Sequence, residues 1–205
     1  YSWGPPEVVL EMIPDFVCPG SLLFLYFVCT CGDDAGKTAE VFCKAVERRG
    51  WTCQAGYSVF MPNTYVCLPG FDVDAPEVES RKREEAWGGE EIQVKIAGRE
   101  SGFDCHEGSM PFLKTYVVRP LFCRFLMSAR WFHASDACIS CGICEKVCPM
   151  NNIRVDRKPV WGKRCTQCLA CYHFCPMHAV AYGSQTLNKG QYYFERKRKG
   201  KQSEK

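Results

Sequence analysis

Cysteine stands at positions 138, 141, 144 and 148 and again at 165, 168, 171 and 175, so one C-x2-C-x2-C-x3-C-P run occurs twice at an offset of 27 residues. Three cysteines two residues apart offer three thiolates from one tight loop, which suits one side of a [4Fe-4S] cube whose iron corners each take one soft ligand. The fourth corner is reached from elsewhere, and in two-cluster proteins with this run the last cysteine of each run completes the other cube. The pattern therefore assigns Cys138, Cys141, Cys144 and Cys175 to one cube, and Cys165, Cys168, Cys171 and Cys148 to the second. Zinc is the competing reading, because paired CxxC knuckles also make four-thiolate sites. Zinc knuckles need only two cysteines each and usually a longer spacer, whereas here the ligands are denser and Pro149 and Pro176 each follow the fourth cysteine. A disulfide framework is disfavoured, since cysteines this close compete for many pairings and nothing in the chain indicates export.

Aligned at the same offset, Pro149 falls on Pro176, Met150 on Met177 and Ile153 on Val180. That is an internal duplication with a pseudo-two-fold core. Each half is expected to be a short strand, a cluster loop and one helical turn. So little apolar core is expected that the cubes hold the fold together and the apo form is largely unfolded there.

A chain of 205 residues holds one ordinary domain and a small one. A net charge of +3 does not by itself imply nucleic acid, and no nucleic-acid partner is expected. The charge is uneven, with Glu195-Arg196-Lys197-Arg198-Lys199-Gly200-Lys201 near the end read as a solvated tail or a docking patch for an acidic surface. No secretory signal is visible, and the apolar run Leu22 to Cys29 falls short of the roughly 18 to 20 residues a spanning helix needs. No transmembrane segment is expected, and the reading is a cytoplasmic protein whose thiols stay reduced and open to iron. Tyr1 precedes a loop-like Ser2-Trp3-Gly4-Pro5-Pro6 with no methionine in front, so a chain cut at its start is expected.

Glu7 to Ile13 places Val8, Val9, Met12 and Ile13 at helical spacing, with Pro14 expected to end the element. Ser21 to Thr30 is a continuous apolar run, expected to be a strand buried on both faces. Gly36 to Arg49 returns to helical period and stops at Gly50, and Trp51 to Met61 is the next strand. Strand, loop, helix, strand is a βαβ unit, which puts the Thr30 to Gly36 loop at the carboxyl end of a parallel strand, where open α/β sheets bind ligands. Gly32 to Thr38 looks like a phosphate loop but has one residue too few between its glycines. Asp74 to Gly98 reads as a charged, exposed helix with Gly88-Gly89 as its expected break. Phe112 to Phe132 mixes aromatic and aliphatic residues with Lys114, Arg119, Arg124 and Arg130. It is expected to be a helix packed between domains, or else a basic amphipathic surface, with Pro120 kinking it.

Ser2-Trp3-Gly4, Thr30-Cys31-Gly32 with Ala35-Gly36, and Met61-Pro62-Asn63-Thr64-Tyr65, followed by a helical bridge and the doubled cysteine run, together resemble the flavodoxin-ferredoxin fusion family of anaerobic bacteria and archaea. The resemblance covers nearly the whole chain. It implies an α+β protein in which a partial flavodoxin-like α/β domain at 1–70 is followed by a helical bridge at 71–133, a two-[4Fe-4S] ferredoxin-like domain at 134–184 and a basic tail at 185–205. It also implies that Ser2, Trp3 and Gly4 form one FMN-contacting loop and Thr30, Cys31, Gly32 and Gly36 the other, with Trp3 stacking on the ring. The family's first strand and phosphate-binding loop would lie upstream of Tyr1. In the flavodoxin-like strand order that first strand is central, so FMN is expected only in the full-length protein. The strand from Leu22 is then expected near an exposed apolar edge.

The function these readings imply is an electron carrier that moves single electrons through two [4Fe-4S] clusters to a redox protein partner. The alternative is a flavin-dependent oxidoreductase, when full length, that uses the clusters as an internal wire. A third reading makes the clusters structural in a binding module. No residue reads as a dedicated acid, base or nucleophile, and His106, His133, His173 and His178 stand isolated. Lys146, Arg154, Arg157, Lys158, Lys163 and Arg164 outnumber Asp136, Glu145 and Asp156 around the runs, so cluster potentials above those of an acidic counterpart are expected. Cys18, Cys29, Cys31, Cys43, Cys53, Cys67, Cys105 and Cys123 form no ligand run and are read as mostly buried thiols.

Overall fold

In the computed structural model, residues 3–17, 24–68, 70–73 and 89–192 are described. Tyr1, Ser2, Cys18, Leu22-Leu23, the front of the charged helix at 74–88 and the basic tail from 193 lie outside the described residues. The described parts of Tyr1–Asn63 and Asp74–Ser128 form one unit with Cys165–Gln167, and those of Thr64–Val73, Ala129–Arg164 and Cys168–Lys205 form the other.

In the first unit, Pro6 caps α1 (Glu7–Met12), and a 3-10 turn at Ile13–Asp15 carries the chain across Pro14. Strands β1 (Tyr26–Cys31) and β2 (Ala55–Phe60) flank α2 (Thr38–Glu47) and pair in parallel from Tyr26↔Ala55 to Cys31↔Phe60. A helix at 89–97, α3, leads to β3 (Gly102–Asp104), which pairs in parallel with β2, so the sheet order is β1-β2-β3. The core gathers Ile13, Val46 and Cys53, with Leu10, Leu25, Phe27, Phe42 and Trp51 packed against them. Phe27 meets Phe42 of α2 at 4.9 Å between ring centroids. Gly56 has to be glycine because a Cβ there would collide with the Phe27 ring.

Burial along β1 differs from the expectation of two covered faces. Its residues alternate between exposed and half-buried, with Tyr26 at 42% and Val28 at 45% exposure. A strand sends successive side chains to opposite faces. Phe27 takes the face that meets α2, which leaves Tyr26 and Val28 on the other face of an outer strand.

Residues 111–125 form a continuous helix, α4, built from an α-helical turn at Pro111–Leu113, a π-helical stretch at Lys114–Val118 and α-helix again at Arg119–Phe125. Arg119 N bonds to Lys114 O, five residues back. The widened turn just ahead of Pro120 relieves the ring's clash with the preceding turn, so the helix runs on through the proline. Many of its apolar residues are exposed, among them Phe112 at 66% and Phe125 at 69%. Among the described residues, no helix is long and apolar enough to cross a membrane.

The second unit repeats itself. Strand β4 (Phe132–Ala134), helix α5 (Ile143–Lys146) and strand β5 (Ile153–Val155) recur 27 residues later as β6 (Pro159–Trp161), α6 (Ala170–His173) and β7 (Val180–Tyr182). Pairing is exchanged between the halves. β4 pairs antiparallel with β7, Phe132↔Tyr182 to Ala134↔Val180, while β5 pairs with β6, Val155↔Pro159 to Ile153↔Trp161. Each pair maps onto the other when the halves are swapped, which is the pseudo-two-fold written in backbone.

This unit buries more apolar surface than the sequence led us to expect. Phe132, Ile153, Leu169, Tyr172, Ala179, Val180, Ala181 and Tyr182 are all buried. Phe132 stacks on Trp161 at 5.6 Å and meets Tyr182 edge-on at 4.8 Å. Aromatic side chains bury large areas, so a few of them give a short chain a core that its aliphatic count does not announce. The segment Thr64–Val73 adds to it, with Val66 and Val73 almost fully buried. Lys189 Nζ donates to Val66 O and Leu68 O at 2.7 Å each, and His173 Nε2 bonds Thr64 O at 2.9 Å.

Candidate metal centre

The loop from Cys138 to Cys144 turns through Ser140 at φ 54 and Gly142 at φ 73 before α5 begins. Its counterpart turns through Gln167 at φ 48 and Leu169 at φ 60 before α6. Asn151 and His178, at φ 48 and 49, repeat the left-handed turn after the fourth cysteine of each run. A non-glycine residue in this region costs roughly 1–2 kcal/mol, so its recurrence at equivalent places marks loops whose shape matters more than local comfort. The first of these loops aims its sulfurs into one cavity.

Cys138, Cys141, Cys144 and Cys175 line one cavity, closed on its other sides by Ile139, Val155, Pro159, Met177 and Val180. Cys144 is buried and Cys141 is exposed at the cavity's edge. The lining is otherwise apolar, which limits water around whatever the thiols hold. Burial pushes the Cys144 thiol up. Only thiolates ligate iron, so loading this cavity releases protons. Of the second set, Cys165 belongs to the first unit and Cys148, Cys168 and Cys171 to the second, and its grouping rests on the spacing of the run.

Backbone amides reach the sulfurs in a repeated way. Asn152 N donates to Cys148 Sγ at 3.3 Å, and Ala179 N donates to Cys175 Sγ at 3.2 Å. Gln167 N donates to Cys165 Sγ at 3.4 Å. Hydrogen bonds to ligand sulfur stabilise the more negative, reduced form of a cluster and raise its potential. Among the described residues no three His, Cys, Asp or Glu side chains converge on a single ion. A four-iron cube spreads its thiolates over separate corners and needs no such convergence.

Several supporting residues carried no signal in the sequence. Glu145, one place after Cys144, accepts from Val155 N at 2.8 Å and from Arg154 at 3.2 Å, which ties the β5–β6 hairpin to the cluster loop. Ser140 Oγ donates to Arg157 O on the same hairpin. Asn152 Oδ1 accepts from Arg164 N at 2.9 Å and its amide donates to Gly162 O at 3.1 Å. In the offset alignment Glu145 falls on Tyr172, so a surface clamp in one half is replaced by a buried ring in the other.

The residues read for flavin divide. Trp3, at φ 53, and Gly36 lie against each other: a Cβ on Gly36 would stand 2.9 Å from Trp3 Cβ and 2.6 Å from Thr115 Oγ1. Gly4 lies against Arg119, and Gly32 against Asn63 instead. Thr30 is exposed on β1 and Cys31 is buried at its end. Burial holds the Cys31 thiol up at about 11 and the Cys53 thiol at about 12. Cys29 is lowered by a hydrogen bond with Cys105, whose own thiol is raised by the same bond. Asp34 Oδ1, in the same loop as Gly36, is buried without a hydrogen-bond partner among the described residues. The direction a side chain at Gly36 would take is filled by protein.

Residues 137–180 match the family described as the 4Fe-4S dicluster domain. A ferredoxin of Pyrobaculum islandicum is 32% identical over 68 residues, covering 29% of this chain and 63% of that protein. The match thus spans less than two thirds of that relative's length. No solved structure matches the chain. The protein carries a 4Fe-4S cluster-binding, ferredoxin-like domain.

Proposed function

We propose that this domain holds two [4Fe-4S] cubes, one on Cys138, Cys141, Cys144 and Cys175 and one on Cys165, Cys168, Cys171 and Cys148, and passes single electrons to and from a redox protein partner in the cytoplasm. The observation that carries the reading is the cavity in which a cysteine of the second run joins three of the first. Each cube supplies one-electron chemistry when bound. The chain's own residues set its level: amide donors at Cys148, Cys165 and Cys175 favour the reduced form. Surrounding cations do the same, though Arg154 and Lys158 are partly offset by Glu145 and Asp136 at 3.2 and 2.7 Å. A redox titration followed by EPR tests this. Reversible low-potential signals above those of a comparable acidic two-cluster protein are expected, on a scale for which plant-type ferredoxins at roughly −400 mV are the reference. Signals at or below the potential of an acidic two-cluster protein would reject the electrostatic account.

A second reading adds flavin chemistry to the first unit. Its support is the parallel, sequential order β1-β2-β3, which suits one side of a flavodoxin-like sheet. On that reading the clusters act as the wire between flavin and partner.

A further inference from the structure

Helix α4 brings Thr115 into the interior of the first unit, where it is 1% exposed. Its hydroxyl donates to Trp3 O at 2.6 Å and accepts from Lys37 N at 2.9 Å. A hydroxyl has one proton and two lone pairs, so both bonds form without competition. On the same helix Arg119 donates to Pro5 O at 2.6 Å and Lys114 pairs with Asp34. Three side chains from adjoining turns of one helix thus grip two loops, 3–5 and 34–37. The π-helical stretch Lys114–Val118 lies under this grip, and such stretches are frequent at functional sites.

Trp3 adds a second observation. A bulky residue at φ 53 persists only where its surroundings hold it. The Thr115 bond to Trp3 O and the Arg119 bond to Pro5 O fix the chain at Trp3 and just after it. Gly36, also at positive φ, leaves room for the Thr115 hydroxyl where any Cβ would stand 2.6 Å away. The sheet's carboxyl end is where open α/β sheets take ligands, and these loops border it.

We propose that Thr115 is a positioning residue whose hydroxyl fixes the separation of the Trp3 loop and the Gly36-Lys37 loop at the ligand-binding end of the sheet. The identity of the ligand rests on the flavin reading above; the positioning does not. Two variants of the full chain, purified without oxygen, decide it. Thr115→Val keeps the volume and removes both bonds, and Thr115→Ser keeps the hydroxyl. In hydrogen exchange, Thr115→Val is expected to speed exchange at the Lys37 amide by about tenfold, with β2 unchanged and Thr115→Ser like the parent. FMN titration followed by flavin fluorescence is the second readout. Where the parent binds FMN, Thr115→Val should bind about tenfold more weakly and Thr115→Ser normally. Wild-type exchange rates in Thr115→Val, or tighter FMN binding by it, would overturn the proposal. A parent that binds no FMN would reject the flavin reading and leave the exchange result to judge Thr115.

Discussion

With the ligation proposed above, replacing Cys175 with alanine is expected to cost the protein the cube of the first run, although Cys175 belongs to the second run. Its side chain lines the cavity of Cys138, Cys141 and Cys144, so its loss leaves three thiolates around that cavity and leaves the other set complete. Iron should fall from about eight to about four per chain. Pairing the variants makes the crossing explicit, because mutations that disable one unit together do not add. Cys175→Ala with Cys141→Ala should retain about four irons, since both strike one cube, whereas Cys175→Ala with Cys168→Ala should retain almost none. Uncrossed ligation would give the reverse pattern in the same two double variants, read by iron analysis and EPR.

Tyr172→Ala should be the most damaging substitution that removes no sulfur. The ring is fully buried. Its hydroxyl donates to Lys189 O at 2.6 Å, with Gly190 O and Thr186 O at 3.1 and 3.3 Å, and meets His178 Nε2 at 2.9 Å. Since the hydroxyl's one proton is used on a carbonyl, His178 serves as the donor to the ring oxygen. One side chain thus ties the helix of Cys171 and the turn after Cys175 to residues 186–190. Truncating a buried aromatic costs about 3–5 kcal/mol, and removing the hydroxyl donor from Lys189 O adds to it. Tyr172→Phe isolates the polar share, about 1–3 kcal/mol. Anaerobic denaturant titrations followed by cluster absorbance measure both. A Tyr172→Phe midpoint equal to the parent's would mean the hydroxyl network contributes nothing.

What could be read in advance follows from how local each signal is. The cysteine run and its offset are written in consecutive residues, and the backbone repeats them down to left-handed turns at Ser140 and Gln167 and at Asn151 and His178. The βαβ order was legible from periodicity, with α2 and β2 falling inside the expected segments and β1 starting later and ending one residue beyond its own, at Cys31. Which face of β1 is covered was not, because an apolar run states that side chains prefer burial and not whether a neighbour exists to bury them. Pro120 signalled a kink, yet a π-helical turn upstream absorbs it, and that choice depends on what Thr115 and Arg119 find across the unit. The aromatic core of the second unit and the docking of Val66 and Val73 into it depend on contacts between distant residues. Glu145 and Asn152 act through backbone atoms of a hairpin, and no spacing rule points to them.

The proposed function rests on a pair of cubes in one duplicated module. Its most direct test is iron and acid-labile sulfide analysis of the anaerobically purified chain, with metal content measured in the same sample. About eight irons and about eight sulfides per chain are expected. About four of each, or zinc without sulfide, would contradict it.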